Sequence, residues 1–115
     1  MESVRQEKIN RLLLRDLGTI FQLESRNILG TGAMISVTRV KVSRDLSTAH
    51  VHLSLFATDN KQELINQIKN KKTVFRTMLG AKVRHQLRVV PDLIFELDDS
   101  LDYIEHIDQL LKDNK

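Results

Sequence analysis

Met34-Ile35-Ser36-Val37-Thr38-Arg39-Val40-Lys41-Val42 and Thr48-Ala49-His50-Val51-His52-Leu53-Ser54-Leu55-Phe56-Ala57 flank the polar run Ser43-Arg44-Asp45-Leu46-Ser47. The second segment alternates cleanly. Ala49, Val51, Leu53 and Leu55 fall on one side, and His50, His52, Ser54 and Phe56 on the other. Such period-two alternation marks a half-buried strand. The first segment changes phase midway. Ile35 and Val37 share one parity and Val40 and Val42 the other, so an extra residue, a β-bulge, is expected near Thr38-Arg39. So short a separation joins the two strands as an antiparallel hairpin.

Downstream, Thr58-Asp59-Asn60 is helix-start chemistry, and Leu64, Ile65 and Ile68 begin an apolar stripe. Asn70-Lys71-Lys72-Thr73 interrupts the stripe. It resumes with Phe75, Met78, Leu79, Val83 and Leu87 until Pro91 ends it. This reads as one long helix with a break, or as two helices joined at 70–73 with Thr73 capping the second. Leu93, Phe95 and Leu97 alternate in a third strand, and Asp98-Asp99-Ser100 starts a last helix carrying Leu101, Ile104, Ile107 and Leu111. Upstream, Ile9, Leu13, Leu17 and Ile20 place a helix over residues 3 to about 26, with a stop and loop from Asn27 to Gly32.

The order α-β-β-α-α-β, plus a C-terminal helix, makes an α+β fold. A right-handed crossover through the broken helix sets the third strand parallel to the second. The expected sheet is three-stranded and mixed, with helices on one face. That order matches the type II (bacterial) KH topology, and KH modules bind single-stranded RNA backbone at a helix–helix break.

The 115 residues suit a single domain, 1–115. A chain of this size buries roughly two thirds of its unfolded surface, enough for one core. The absence of cysteine excludes disulfides, Cys-ligated zinc, iron–sulfur clusters and thiol nucleophiles. No apolar run approaches the roughly 18 residues of a membrane helix. The charged start Met1-Glu2-Ser3-Val4-Arg5-Gln6-Glu7-Lys8 has no apolar stretch like that of a signal peptide, so a soluble cytoplasmic protein is expected. The net charge of +3 conceals a strong asymmetry. Residues 1–60 carry 8 Lys/Arg against 6 acids, residues 61–90 carry 8 against 1, and residues 91–115 carry 2 against 8. A +7 block beside a −6 block points to an anionic partner for the first, a nucleic acid rather than a merely solvated face.

The candidate site is the break and the helix after it. Helical spacing aligns Arg76, Gly80, Arg84 and Arg88, with Lys69 and Thr73 continuing the stripe backwards. A mid-helix glycine costs about 1 kcal/mol relative to alanine, so Gly80 is expected to admit RNA backbone or a neighbouring helix closely. Free N–H groups at a helix start near Thr73, with Lys71 and Lys72 beside them, form a ready phosphate site. Lys8, Arg11 and Arg15 make a second basic face on the first helix.

Other constellations carry less. His50 and His52 lie two apart on one strand face, as zinc ligands do, but no third ligand is evident, so a polar sheet face is the plainer reading. Glu96, Asp98, Asp99, Asp102 and Glu105 sit where acids favour a helix start, not in an acid–base pair. Of the aromatics, Phe75 and Phe95 follow core patterns, Phe21 borders the first stripe and Phe56 ends the second strand. The open sheet face offers histidines rather than stacking aromatics, so binding directed at the RNA backbone fits better than base stacking.

Several segments resemble the ribosome-binding factor A family. They are the hairpin Val40-Lys41-Val42-Ser43-Arg44-Asp45-Leu46-Ser47-Thr48-Ala49-His50-Val51, the helix Phe75-Arg76-Thr77-Met78-Leu79-Gly80-Ala81-Lys82-Val83-Arg84, and Arg88-Val89-Val90-Pro91-Asp92-Leu93-Ile94-Phe95 with Asp98-Asp99-Ser100. The N-terminal helix, with Arg5, Lys8 and Ile9, fits too. The resemblance implies a type II KH-like domain that binds the immature 30S small ribosomal subunit. It also implies help in maturation and 5′-end processing of 16S rRNA, a link to growth in the cold, no catalysis, no cofactor, and release aided by a GTPase. The family carries Ala-x-Gly at its kink where this chain has Lys71-Lys72-Thr73, so a threonine cap is expected there. The expected function is a monomeric assembly factor whose Lys71, Lys72, Arg76, Arg84 and Arg88 meet rRNA phosphates. The rivals are a KH-like module on another RNA, a metal-dependent nuclease using His50 and His52, and an adaptor acting through its acidic C-terminal helix.

Overall fold

The computed structural model describes residues 2–30 and 32–98, so the last helix expected after Asp98 lies outside the described residues. Helix α1 spans Val4–Leu29. Ser3 opens it with a capping box: its hydroxyl accepts the Gln6 N–H at 3.1 Å, and the Gln6 side chain accepts the Ser3 N–H at 2.9 Å. The helix runs past the stop expected at Asn27. Ile28 and Leu29 still pack on the core, and the terminator is Gly30, left-handed at φ 65°, whose N–H donates to the Arg26 carbonyl.

Strands β1 (Met34–Val42) and β2 (Thr48–Phe56) pair antiparallel. Val37 faces Leu53 and Arg39 faces His52, so Thr38 is the bulge residue, where the phase change placed it. Strand β2 stops one residue before the expected end because Ala57 turns to φ 57°. In the connecting turn the Asp45 carboxylate accepts both the Ser43 and Ser47 hydroxyls at 2.7 Å and the Ser47 N–H at 3.1 Å. These hydrogen bonds, the Ser43 hydroxyl first, hold its pKa at about 2.

Helix α2 (Lys61–Asn70) starts at Asn60, whose side chain accepts the Glu63 N–H at 3.0 Å. Helix α3 covers Lys72–Val83, and β3 (Asp92–Leu97) pairs parallel to β2. The architecture is thus α+β, with a three-stranded mixed sheet in the order β1-β2-β3. The inward residues of β2, Ala49, Val51, Leu53 and Leu55, are buried against the helices, whereas His50 is exposed on the opposite face. Ser54 shares the parity of His50 but is buried. Phe21, Phe75 and Phe95 lock α1, α3 and β3 together, with ring centroids 4.5, 5.9 and 5.9 Å apart. Phe21 therefore lies inside the core rather than at its border.

Candidate nucleic-acid interface

The break between α2 and α3 is one residue wide. Lys71 adopts φ −100°, ψ 16°, a geometry open to any L-residue. Its N–H donates to the Gln67 and Ile68 carbonyls, and its carbonyl accepts the Val74 and Phe75 N–H groups. No glycine is required, because the described residues with φ above zero are Gly30, Leu46 and Ala57, all elsewhere. The expected threonine cap is corrected. Thr73 lies inside the first turn of α3, and its carbonyl accepts the Thr77 hydroxyl at 2.8 Å. The cap position falls on Lys71, which has no acceptor, so no side chain caps this helix start. Lys71 is also the C-cap of α2, so the negative end of that helix abuts this start and the positive charge here comes from the lysine side chains.

The far end of the stripe is also corrected. Helix α3 stops at Val83, not near Pro91: the Gln86 and Leu87 N–H groups share the Val83 carbonyl at 2.8 Å in a last bifurcated turn, and the chain then bends at Arg88 and Val89. Arg84 is the C-cap and Arg88 lies in the following bend, so the helical row ends at Gly80. The chain after the bend folds back over α3. The Arg76 guanidinium donates to the carbonyls of Val90 at 2.7 Å and Pro91 at 3.2 Å. Lys72 Nζ lies 3.1 Å from the Asp92 carboxylate. A Cβ on Gly80 would sit 3.2 Å from Val90 Cγ2, so this glycine makes room for Val90. Lys72, Thr73, Arg76, Thr77 and Gly80 thereby line a shallow groove of about 330 Å³.

The basic residues thus separate into two sets. Lys72 and Arg76 are engaged by the segment entering β3. Lys69, Lys71, Arg84 and Arg88 are exposed and make no ion pair among the described residues. Lys82, in the last turn of α3, is exposed like them and escaped the sequence reading because it lies off the stripe. Lys8, Arg11 and Arg15 are exposed on α1, where the Arg15 Nε–H donates to Asp16 at 3.1 Å.

On the outer sheet face, His50 Nδ1 lies 3.0 Å from one Glu96 carboxylate oxygen and His52 Nδ1 lies 3.7 Å from the other. The β2–β3 register, which sets His52 opposite Glu96, creates this group. The hydrogen bond to His50 foremost, opposed by desolvation, and then the fields of His52, His50 and Lys69 hold the Glu96 carboxyl below its ordinary range. Among the described residues, no group of three His, Asp or Glu side chains is arranged to hold a metal. Nor is any described helix long and apolar enough to cross a membrane.

Known proteins share this fold. The family model for ribosome-binding factor A matches residues 5–111. Ribosome-binding factor A of Cytophaga hutchinsonii is 42% identical over 111 residues, covering 96% of this chain and 83% of that one. The protein of that name from Flavobacterium johnsoniae is 45% identical, covering 96% and 85%. Among solved structures, the crystal structure of ribosome-binding factor A from Thermus thermophilus superposes with a TM-score of 0.65 at 20% identity, covering 80% of this chain and 94% of that one. A homology model of the Thermus thermophilus protein, fitted into an electron-microscopy map of its complex with the 30S particle, gives 0.62 at 20% identity, covering 86% and 97%. By family match and relatives spanning nearly its whole length, the chain belongs to the ribosome-binding factor A family.

Proposed function

We propose that residues 1–115 act as one KH-like domain that binds the immature small ribosomal subunit and assists maturation and 5′-end processing of its 16S rRNA. The observation that carries this reading is a set of exposed cations, Lys69 and Lys71 at the α2–α3 break and Arg84 and Arg88 at and beyond the far end of α3, that make no ion pair among the described residues. Lys69, Lys71, Arg84 and Arg88 meet phosphates, and the first turn of α3 at Thr73 presents N–H groups to one of them. Lys72 and Arg76 shape the wall, and Gly80 keeps it thin. Lys8, Arg11 and Arg15 form the second contact patch. The mode is electrostatic and directed at the backbone. It needs no cofactor and performs no reaction, which suits a cytoplasmic monomer released by a maturation GTPase and needed most in the cold.

Sedimentation through a sucrose gradient tests this reading. The protein is expected with free small subunits, and its loss is expected to leave unprocessed small-subunit rRNA. Co-migration with messenger ribonucleoprotein instead would move the function to another RNA. Charge reversal at Lys69 and Lys71 together is expected to lower the slope of log K against log salt by roughly one unit per lost contact.

A further inference from the structure

β1 is an edge strand, and its two ends are finished differently. At Val42 the outward backbone groups are covered from α1. The Asn10 side-chain oxygen accepts the Val42 N–H at 2.8 Å, and the Gln6 amide donates to the Val42 carbonyl at 3.3 Å. Outward groups recur at every second residue of an antiparallel edge, and before the Thr38 bulge they fall on Ile35 and Val37. Among the described residues, no side chain hydrogen-bonds either of those two. Beside them α1 and β1 diverge into a groove of about 710 Å³, floored by Phe21 and Ile35. Leu23 and Met34 line it with 65% of their surfaces exposed. Gly18 also lines it, and a Cβ there would meet nothing within 4 Å. A mid-helix glycine weakens a helix, and here no internal neighbour uses the space. Arg26 gives one end of the groove a positive charge, while Arg15 at the other end is balanced by Asp16.

An alternating row of open N–H and C=O groups, an apolar wall and a single net cation suit an extended polypeptide. A nucleic-acid strand would call for a run of cations. We propose that the α1–β1 groove captures an extended segment of a partner protein, added to Ile35 and Val37 as a fourth strand, with an acidic side chain over Arg26. This site lies apart from the α2–α3 break, shares only Arg15 with the basic patch on α1, and does not depend on how RNA is bound at the break.

The test is an NMR titration of the full chain with a blocked heptapeptide of alternating valine and threonine, glutamate at each end. The expected result is saturable shifts at the Ile35, Val37 and Gly18 amides. Gly18→Leu, whose side chain enters the groove, and Arg26→Glu are each expected to weaken binding by roughly tenfold. A peptide N-methylated at alternate residues lacks the pairing donors and is expected to lose as much, which keeps the test independent of how the variants fold. Equal binding of the methylated peptide, shifts confined to other residues, or no shifts at millimolar peptide would overturn the proposal. So would a β1-to-β1 dimer of this chain, or displacement of the peptide by a small-subunit RNA fragment at the same amides.

Discussion

At Gly80 the space that a side chain would fill is taken by Val90, 3.2 Å from the position of an added Cβ, whereas at Gly18 nothing lies within 4 Å. The same local departure from helix preference, worth about 1 kcal/mol against alanine, thus answers a packing need in α3 and leaves an open groove beside α1. The cations divide in a similar way. Along the groove at the break, Lys72 and Arg76 are held by Asp92, Val90 and Pro91. Lys71 beside them is exposed. A charge count along the chain therefore overstates the cationic side chains free to reach a partner, since Lys72 and Arg76 are used to fasten the chain entering β3 to α3.

Phe21 and Phe75 join these two regions, with ring centroids 4.5 Å apart, so removing either ring is expected to disturb both at once. Phe75→Ala is expected to cost about 3–5 kcal/mol, read from urea unfolding. A loss under about 1 kcal/mol would mean that the helices do not depend on this cluster. The two glycines sharpen the contrast. Gly18→Ala is expected to stabilise the protein by about 1 kcal/mol. Gly80→Ala is expected to fall about 1–2 kcal/mol below it, because Val90 must move. Equal effects would erase the distinction between the grooves. Arg76→Ala is expected to cost about 1–2 kcal/mol through its two carbonyl bonds. Lys71→Ala, on an exposed position, should stay within about 0.5 kcal/mol of the parent.

The smallest expected effect is at the hairpin turn. Because the Asp45 pKa is lowered from 3.8 to about 2, the unfolded chain takes up a proton there before the folded one does. The turn's contribution is whole above 3.8 and is lost as pH falls towards about 2. Asp45→Asn should flatten that part of the acid-unfolding curve and leave the curve near neutrality parallel to that of the parent. An unchanged acid limb would deny the turn its role.

What the sequence shows and hides follows from how local each feature is. The bulge at Thr38 was legible because side-chain parity changes within one strand, and the parallel third strand because a long helical connection carries the chain back as a crossover. The stop of α3 at Val83 was not, since Leu87 keeps the apolar spacing although Arg84 to Gln86 already form a turn. The Glu96–His50 contact needs the β2–β3 register, and the engagement of Arg76 needs the return of residues 84–91 across α3. The cations of the candidate site were thus legible as a cluster along the chain, while the partition of that cluster emerges only from tertiary contacts.

The partition is tested most directly by the salt dependence of binding to the small ribosomal subunit, compared for Lys71→Glu and Arg76→Gln. If Lys71 meets phosphate and Arg76 holds Val90 and Pro91, Lys71→Glu lowers the slope of log K against log salt by roughly one unit with stability unchanged. Arg76→Gln then lowers stability and leaves the slope within error of the parent. The opposite pattern, a slope lost at Arg76 and kept at Lys71, would contradict the account.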